Sequence, residues 1–205
     1  MDHSRTTIGI LISGRGSNMR AIVEACGRGE VPATVGLVVS NRADAAGLGW
    51  ARNVGIPAVV LPHRDYPSRE AHDLAVVARL REEGVEGVCL AGYMRLLSRA
   101  FVEAYPNRIL NIHPSLLPAF PGLDAQHQAW SWGVTVSGCT VHLVDPELDH
   151  GPIVVQRTVP VAEDDTAESL AARILVQEHR AYPEALRAVL TRPWRVDDRR
   201  VVYSG

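Results

Sequence analysis

Asn111 and His113 stand two residues apart in the apolar run Ile109–His113 (ILNIH), and Pro114 follows at once. In a strand the side-chain period is two, so the amide and the imidazole project from one face while Ile112 packs on the other. Pro114 biases His113 toward extended backbone and ends the strand there. The pair is therefore expected at the carboxyl end of a central parallel strand, the edge where open α/β sheets bind ligands. An asparagine N–H can stabilise a developing oxyanion, and a histidine can donate or accept a proton near neutral pH. The competing reading is a buried polar pair satisfied by neighbouring loops.

Two further stretches carry comparable chemistry. In Thr140–Pro152 (TVHLVDPELDHGP), Thr140 and His142 share a strand face, and Asp149 lies in a turn closed by Gly151-Pro152. Asp149 reads as a turn former as readily as a functional group. Placed near His113, however, its charge would favour imidazolium and make a better acid. The other stretch is Ser13–Asn18 (SGRGSN). Two glycines let backbone N–H groups crowd toward an anion, and a following helix N-terminus adds partial positive charge. A dinucleotide fingerprint wants a third glycine where Met19 stands and an acid ending the second strand, where Ser40-Asn41-Arg42 supplies none. A phosphate cradle is expected, and no NAD.

These residues need elements to hold them. Thr7–Ser13, Ala33–Ser40, Ala58–Leu61, Gly87–Ala91 and Ile109–His113 read as short strands. Helices are expected from about Asn18 to Cys26, over Ala45–Asn53, and over Ser68–Glu83 with Ser68 as N-cap. Strands apolar on both faces, alternating with helices, predict an α/β fold with a mostly parallel sheet covered by helices on both faces. Thr135–Asp145 and Ile153–Val161 predict two antiparallel strands joined by a tight turn. Asp165 and Glu168 have capping-box spacing for a helix reaching about Arg180. Pro183 is expected to kink or end that helix, with a further helix to Thr191. The C-terminal WRVDDRRVVYSG could form a small hairpin. A single domain spanning 1–205 is the expectation.

Composition removes other function classes. All 21 basic residues are arginine, which excludes Schiff-base chemistry, a pyridoxal-phosphate anchor and a P-loop lysine. Net charge is -2 over 205 residues, giving no footprint for nucleic acid or an anionic membrane. Cys26, Cys89 and Cys139 are sparse and unpaired in spacing, so buried thiols and a reducing compartment are expected. None of the eight histidines has zinc-ligand spacing, so no metal is expected. No signal-peptide or membrane-length apolar run is seen, and a cytoplasmic location is expected.

Together the motifs resemble a known family. Asn111–Pro118 (NIHPSLLP), followed by Phe120-Pro121-Gly122, looks like the central motif of the folate-dependent formyltransferases. With Gly14–Asn18 (GRGSN), Ala91–Leu97 (AGYMRLL), Gly138–His142 (GCTVH) and Glu147–Pro152 (ELDHGP) in order, the chain resembles the branch acting on glycinamide ribonucleotide. The resemblance implies a single Rossmann-like formyltransferase domain and transfer of formyl from 10-formyltetrahydrofolate to the glycinamide amine, in purine synthesis. It implies Asn111, His113 and Asp149 as catalytic. Gly16, Ser17 and Asn18 would hold the substrate phosphate and Glu178 would reach the ribose. Arg69, Met94, Arg95, Leu96, Leu97 and Asn111 would meet the folate. Some relatives have a histidine directly after Pro-Gly-Leu, where this chain has Asp124 and then His127. A formyltetrahydrofolate hydrolase, a methionyl-tRNA formyltransferase and a non-catalytic folate- or nucleotide-binding module are the alternatives. Partners are expected to be small molecules, with no nucleic acid and no membrane, in a monomer or homodimer.

Overall fold

A computed structural model describes residues 5–204, which cluster into two compact units, one ending at Leu110 and the other beginning at Asn111. In the first unit, β1 (Thr6–Ile12) lies between β2 (Ala33–Ser40) and β4 (Gly87–Leu90), and β3 (Ala58–Val60) pairs with β2. All three pairings are parallel, with Ile10 opposite Val38 on one side and Cys89 on the other. Parallel neighbours need crossovers, and these are α1 (Ser17–Gly27), α2 (Ala46–Asn53) and α3 (Arg69–Glu82). Ile8, Ile10, Leu11 and Ile12 are almost wholly buried, as expected for a strand covered on both faces. Ser68 caps α3 by accepting from the Ala71 N–H at 3.1 Å. A short helix, α4 (Arg99–Ala104), capped by Ser98, is added to the predicted set.

β5 (Ile109–His113) runs across the boundary and leads into the second unit. There α5 (Ala125–Trp132), also unpredicted, precedes β6 (Val136–Leu143) and β7 (Ile153–Pro160), which pair antiparallel as expected. Their connection is not a tight turn but a loop of residues 144–152. α6 (Ala167–Thr191) follows, and β8 (Trp194–Asp197) and β9 (Arg200–Tyr203) form the C-terminal hairpin. The strand order in this unit is β5-β6-β7-β9-β8.

Two helix expectations are corrected. α6 is continuous through Pro183 instead of breaking near Arg180. Its buried stripe of Leu170, Ile174, Glu178, Ala181, Tyr182, Ala185 and Leu186 passes straight through the proline, and tertiary burial outweighs one lost backbone bond. The capping box is Thr166 with Ser169, one residue later than Asp165 with Glu168. Asp165 instead accepts from Ser169 Oγ at 2.7 Å and pairs with Arg173, whose guanidinium holds its carboxyl below the usual range. Among the described residues no helix is long and apolar enough to cross a membrane.

Candidate active site

In the second unit the end of β5, the end of β6 and the 144–152 loop converge on one polar cluster. His113 and His142 are buried, at 4% and 2% exposure, so every ring nitrogen needs a partner. His113 Nε2 donates to the Phe120 carbonyl at 2.8 Å, and Nδ1 lies 3.3 Å from Asp149 Oδ2. Both nitrogens thus face acceptors. Asp149 Oδ2 also accepts the Gly122 N–H at 2.8 Å, and Oδ1 lies 3.9 Å from His142 Nε2. The carboxylate therefore sits between two imidazoles. Asp149 reaches this place with a left-handed backbone, φ 49. Gly151 closes the loop where a Cβ would stand 1.9 Å from the Leu143 carbonyl oxygen, so no side chain fits.

His142 plays a different part. Its Nδ1–H donates to the Leu143 carbonyl at 2.8 Å, which leaves Nε2 as an acceptor for the Asn111 amide at 3.1 Å. Burial pushes its pKa below the ordinary histidine value, which keeps the ring neutral and Nε2 able to accept. One Asn111 N–H is thereby fixed, which orients the other. Sequence reading singled out His142 only for sharing a face with Thr140. The usable signal was its alternation with Thr140 on a strand ending in a polar loop. Thr140 itself braces the chain after His113: its hydroxyl donates to the Ser115 carbonyl at 2.7 Å and accepts the Leu117 N–H at 3.0 Å.

The remaining predicted residues of this unit divide. Glu178 is buried on α6 at 6% exposure, and its charge adds to the burial that pushes the Cys139 thiol up to about 12. His127 lies on α5 with its ring centroid 5.8 Å from that of Trp130, and Asp124 takes φ 55 just before that helix.

In the first unit the glycine-rich loop ends at Gly16, which takes φ 71 immediately before α1, and no side chain caps the helix. First-turn amides have no carbonyl one turn earlier to bond, so they point at whatever sits in the loop. A Cβ on Gly16 would meet Met19 Cε at 2.9 Å and Gly47 Cα at 3.2 Å, so glycine is required by backbone and by space. Met19 is fully buried beneath the loop. The segment predicted to meet folate is tied beside it: Ser13 N donates to the Gly92 carbonyl at 3.0 Å, and Met94 N donates to Ser13 Oγ at 2.8 Å. Ser13 Oγ in turn donates to Asn41 Oδ1 at 2.6 Å. At the other end of that segment, buried Asp73 Oδ2 accepts the Ser98 N–H at 2.5 Å. Ser13 opens the stretch expected to cradle phosphate, but its tie to Met94, and the parts played by Asn41 and Asp73, appear only in the tertiary contacts.

Held at both ends, residues 94–97 present Met94 and Leu96 at 65% and 42% exposure, while Leu97 is buried. Arg95 Nε is buried with no hydrogen-bond partner among the described residues. Exposed apolar side chains beside an unsatisfied donor fit a flat, polar-edged heterocycle. Arg69 opens α3 and is exposed. The three cysteines are buried thiols, as expected. Among the described residues no cluster of histidine, cysteine and carboxylate could hold a metal.

Comparison with known proteins gives concordant results. A family model described as formyl transferase matches residues 6–186. Phosphoribosylglycinamide formyltransferase of Escherichia coli (strain K12) is 46% identical over 174 residues, covering 85% of this chain and 82% of the relative. The trifunctional purine biosynthetic protein adenosine-3 of Drosophila pseudoobscura pseudoobscura is 47% identical over 188 residues. That match covers 91% of this chain, which spans only 14% of the length of that much longer relative. Among solved structures, glycinamide ribonucleotide transformylase 1 from Symbiobacterium toebii superposes with a TM-score of 0.96 at 52% identity, covering 98% of this chain and 95% of that one.

Proposed function

The chain belongs to the formyl transferase family, and on that premise we propose that it transfers a formyl group from 10-formyltetrahydrofolate to the amine of glycinamide ribonucleotide, in purine biosynthesis. The observation that carries the reading is the cluster at the end of β5, where His113 Nδ1 lies 3.3 Å from Asp149 Oδ2 and the Asn111 amide is held 3.1 Å from His142 Nε2. The folate donor supplies an activated formyl group; the protein supplies placement, an oxyanion donor and a proton. The amide N–H of Asn111 not engaged by His142 is the donor toward the formyl oxygen as negative charge develops there. A preorganised donor of this kind is worth roughly 100- to 1,000-fold in rate. His113 Nδ1 is committed to Asp149, so Nε2 carries the transferable proton, and it exchanges the Phe120 carbonyl for the substrate. Asp149 stabilises the charged ring throughout and orients it.

Gly16, Ser17 and Asn18 hold the substrate phosphate on the amides opening α1, and Glu178 reaches the ribose. Arg69 and the Met94–Leu97 segment receive the folate, for which the fit of exposed Met94 and Leu96 beside Arg95 speaks. In this reading the whole chain works as one formyltransferase domain. The test is folate turnover followed by absorbance, with and without glycinamide ribonucleotide. Turnover is expected only with the nucleotide. Equal turnover without it would assign a formyltetrahydrofolate hydrolase instead.

A further inference from the structure

The loop carrying Asp149 is reached by an element that the catalytic set does not use. At the tip of the β8–β9 hairpin, Arg199 donates through one terminal nitrogen to the His150 carbonyl at 2.5 Å and through the other to His150 Nε2. For Nε2 to accept, the ring proton must sit on Nδ1, which donates to Asp145 Oδ2 at 2.7 Å. Asp145 Oδ1 accepts the Glu147 N–H at 2.9 Å. Arg199, His150 and Asp145 thus close the loop on itself, and the residue they flank is Asp149. Its backbone is left-handed, φ 49, a conformation that the surrounding loop must hold.

The hairpin is itself anchored. Arg200 pairs with Ile153 of β7, Trp194 Nε1 donates to the Val189 carbonyl at 2.9 Å, and the Arg192 guanidinium lies 4.0 Å from the Tyr203 ring centroid. It also lies beyond residues 6–186, the span matched by the family model.

We propose that Arg199 is a positioning residue for formyl transfer: by gripping both the ring and the carbonyl of His150, it sets the backbone that keeps the Asp149 carboxylate against His113. The proposal rests on the reading in which Asp149 is catalytic. Arg199 is exposed, and exposed polar contacts contribute little to global stability. Catalysis is more demanding, because a misplacement of about 1 Å can cost 100-fold. A rate defect without a stability defect is therefore the signature.

The experiment is a double-mutant cycle on the full chain: wild type, Arg199→Ala, Asp149→Asn and the double variant, each by kcat, KM and thermal melt. Arg199→Ala is expected to lower kcat roughly 3- to 10-fold in the wild-type background and less than about 2-fold beside Asp149→Asn, because both act through one carboxylate. Arg199→Lys, which keeps charge but not the fork, is expected to fall between wild type and alanine. Unchanged kcat in Arg199→Ala, or the same loss in both backgrounds, overturns the proposal. If Asp149→Asn alone runs at wild-type rate, the catalytic assignment itself fails and takes the proposal with it. Should Arg199→Ala melt far below wild type, Arg199→Lys carried through the same cycle decides by the same criterion.

Discussion

Replacing Asp149 with asparagine removes one negative charge and almost nothing else. Asparagine tolerates the left-handed backbone at φ 49, and its side-chain oxygen can still accept the Gly122 N–H. What is lost is the charge 3.3 Å from His113 Nδ1, in a pair whose side chains are only 5% and 9% exposed. At an effective dielectric near 20 the bare attraction is about 5 kcal/mol. Desolvation of two buried groups offsets much of that, leaving roughly 1–2 kcal/mol for the charged ring in the transition state. Rates scale tenfold per 1.36 kcal/mol, so kcat/KM should fall about 5- to 30-fold at pH 7. The loss should fall on kcat more than on KM, because the carboxylate contacts His113 and the Gly122 amide and not the groups assigned to phosphate or folate. Steady-state absorbance at pH 7, paired with thermal melts, reads both parameters. Melting should stay close to wild type. A variant with unaltered kcat and KM would refute the catalytic role and leave Asp149 as a turn residue.

Other outcomes follow from neighbouring groups. His142 is buried with a depressed pKa, so the unfolded chain binds a proton that the folded one refuses; stability should fall as pH drops below about 6.5. His142→Gln should flatten that dependence in urea melts and also lower kcat, through a freed Asn111 amide. Gly16→Ala forces a Cβ to within 2.9 Å of Met19 Cε and costs about 1–2 kcal/mol for the left-handed backbone. It should raise KM for glycinamide ribonucleotide more than it lowers kcat, measured by initial rates. Burial holds the Cys139 thiol up at about 12 and raises Cys26, so native protein at pH 8 should resist iodoacetamide while urea-unfolded protein is alkylated, as mass spectrometry would show.

Local signals made much of this protein legible without coordinates. Apolar runs of strand length separated by glycine and serine located β1 to β5, because a strand buried on both faces must be continuously apolar. The two-residue spacing of Asn111 and His113, stopped by Pro114, placed both on one face for the same local reason. Ser68 as a cap was read correctly because an N-cap bonds only three residues ahead. Where several local choices were adequate, tertiary contact decided. The long packed stripe of α6 carried the helix through Pro183, and Arg173 drew Asp165 away from the cap that Thr166 then took. α5 was missed because a short, half-exposed helix shows little apolar periodicity. The site divides along the same line. Which residue types could do chemistry was visible in the sequence, but their pairing was not: Asp149 lies 36 positions from His113, and its left-handed turn looks like any other until Gly151 and the Leu143 carbonyl fold it back. The roles of His142, Ser13 and Arg199 exist only as hydrogen bonds across long sequence separations, which spacing does not encode.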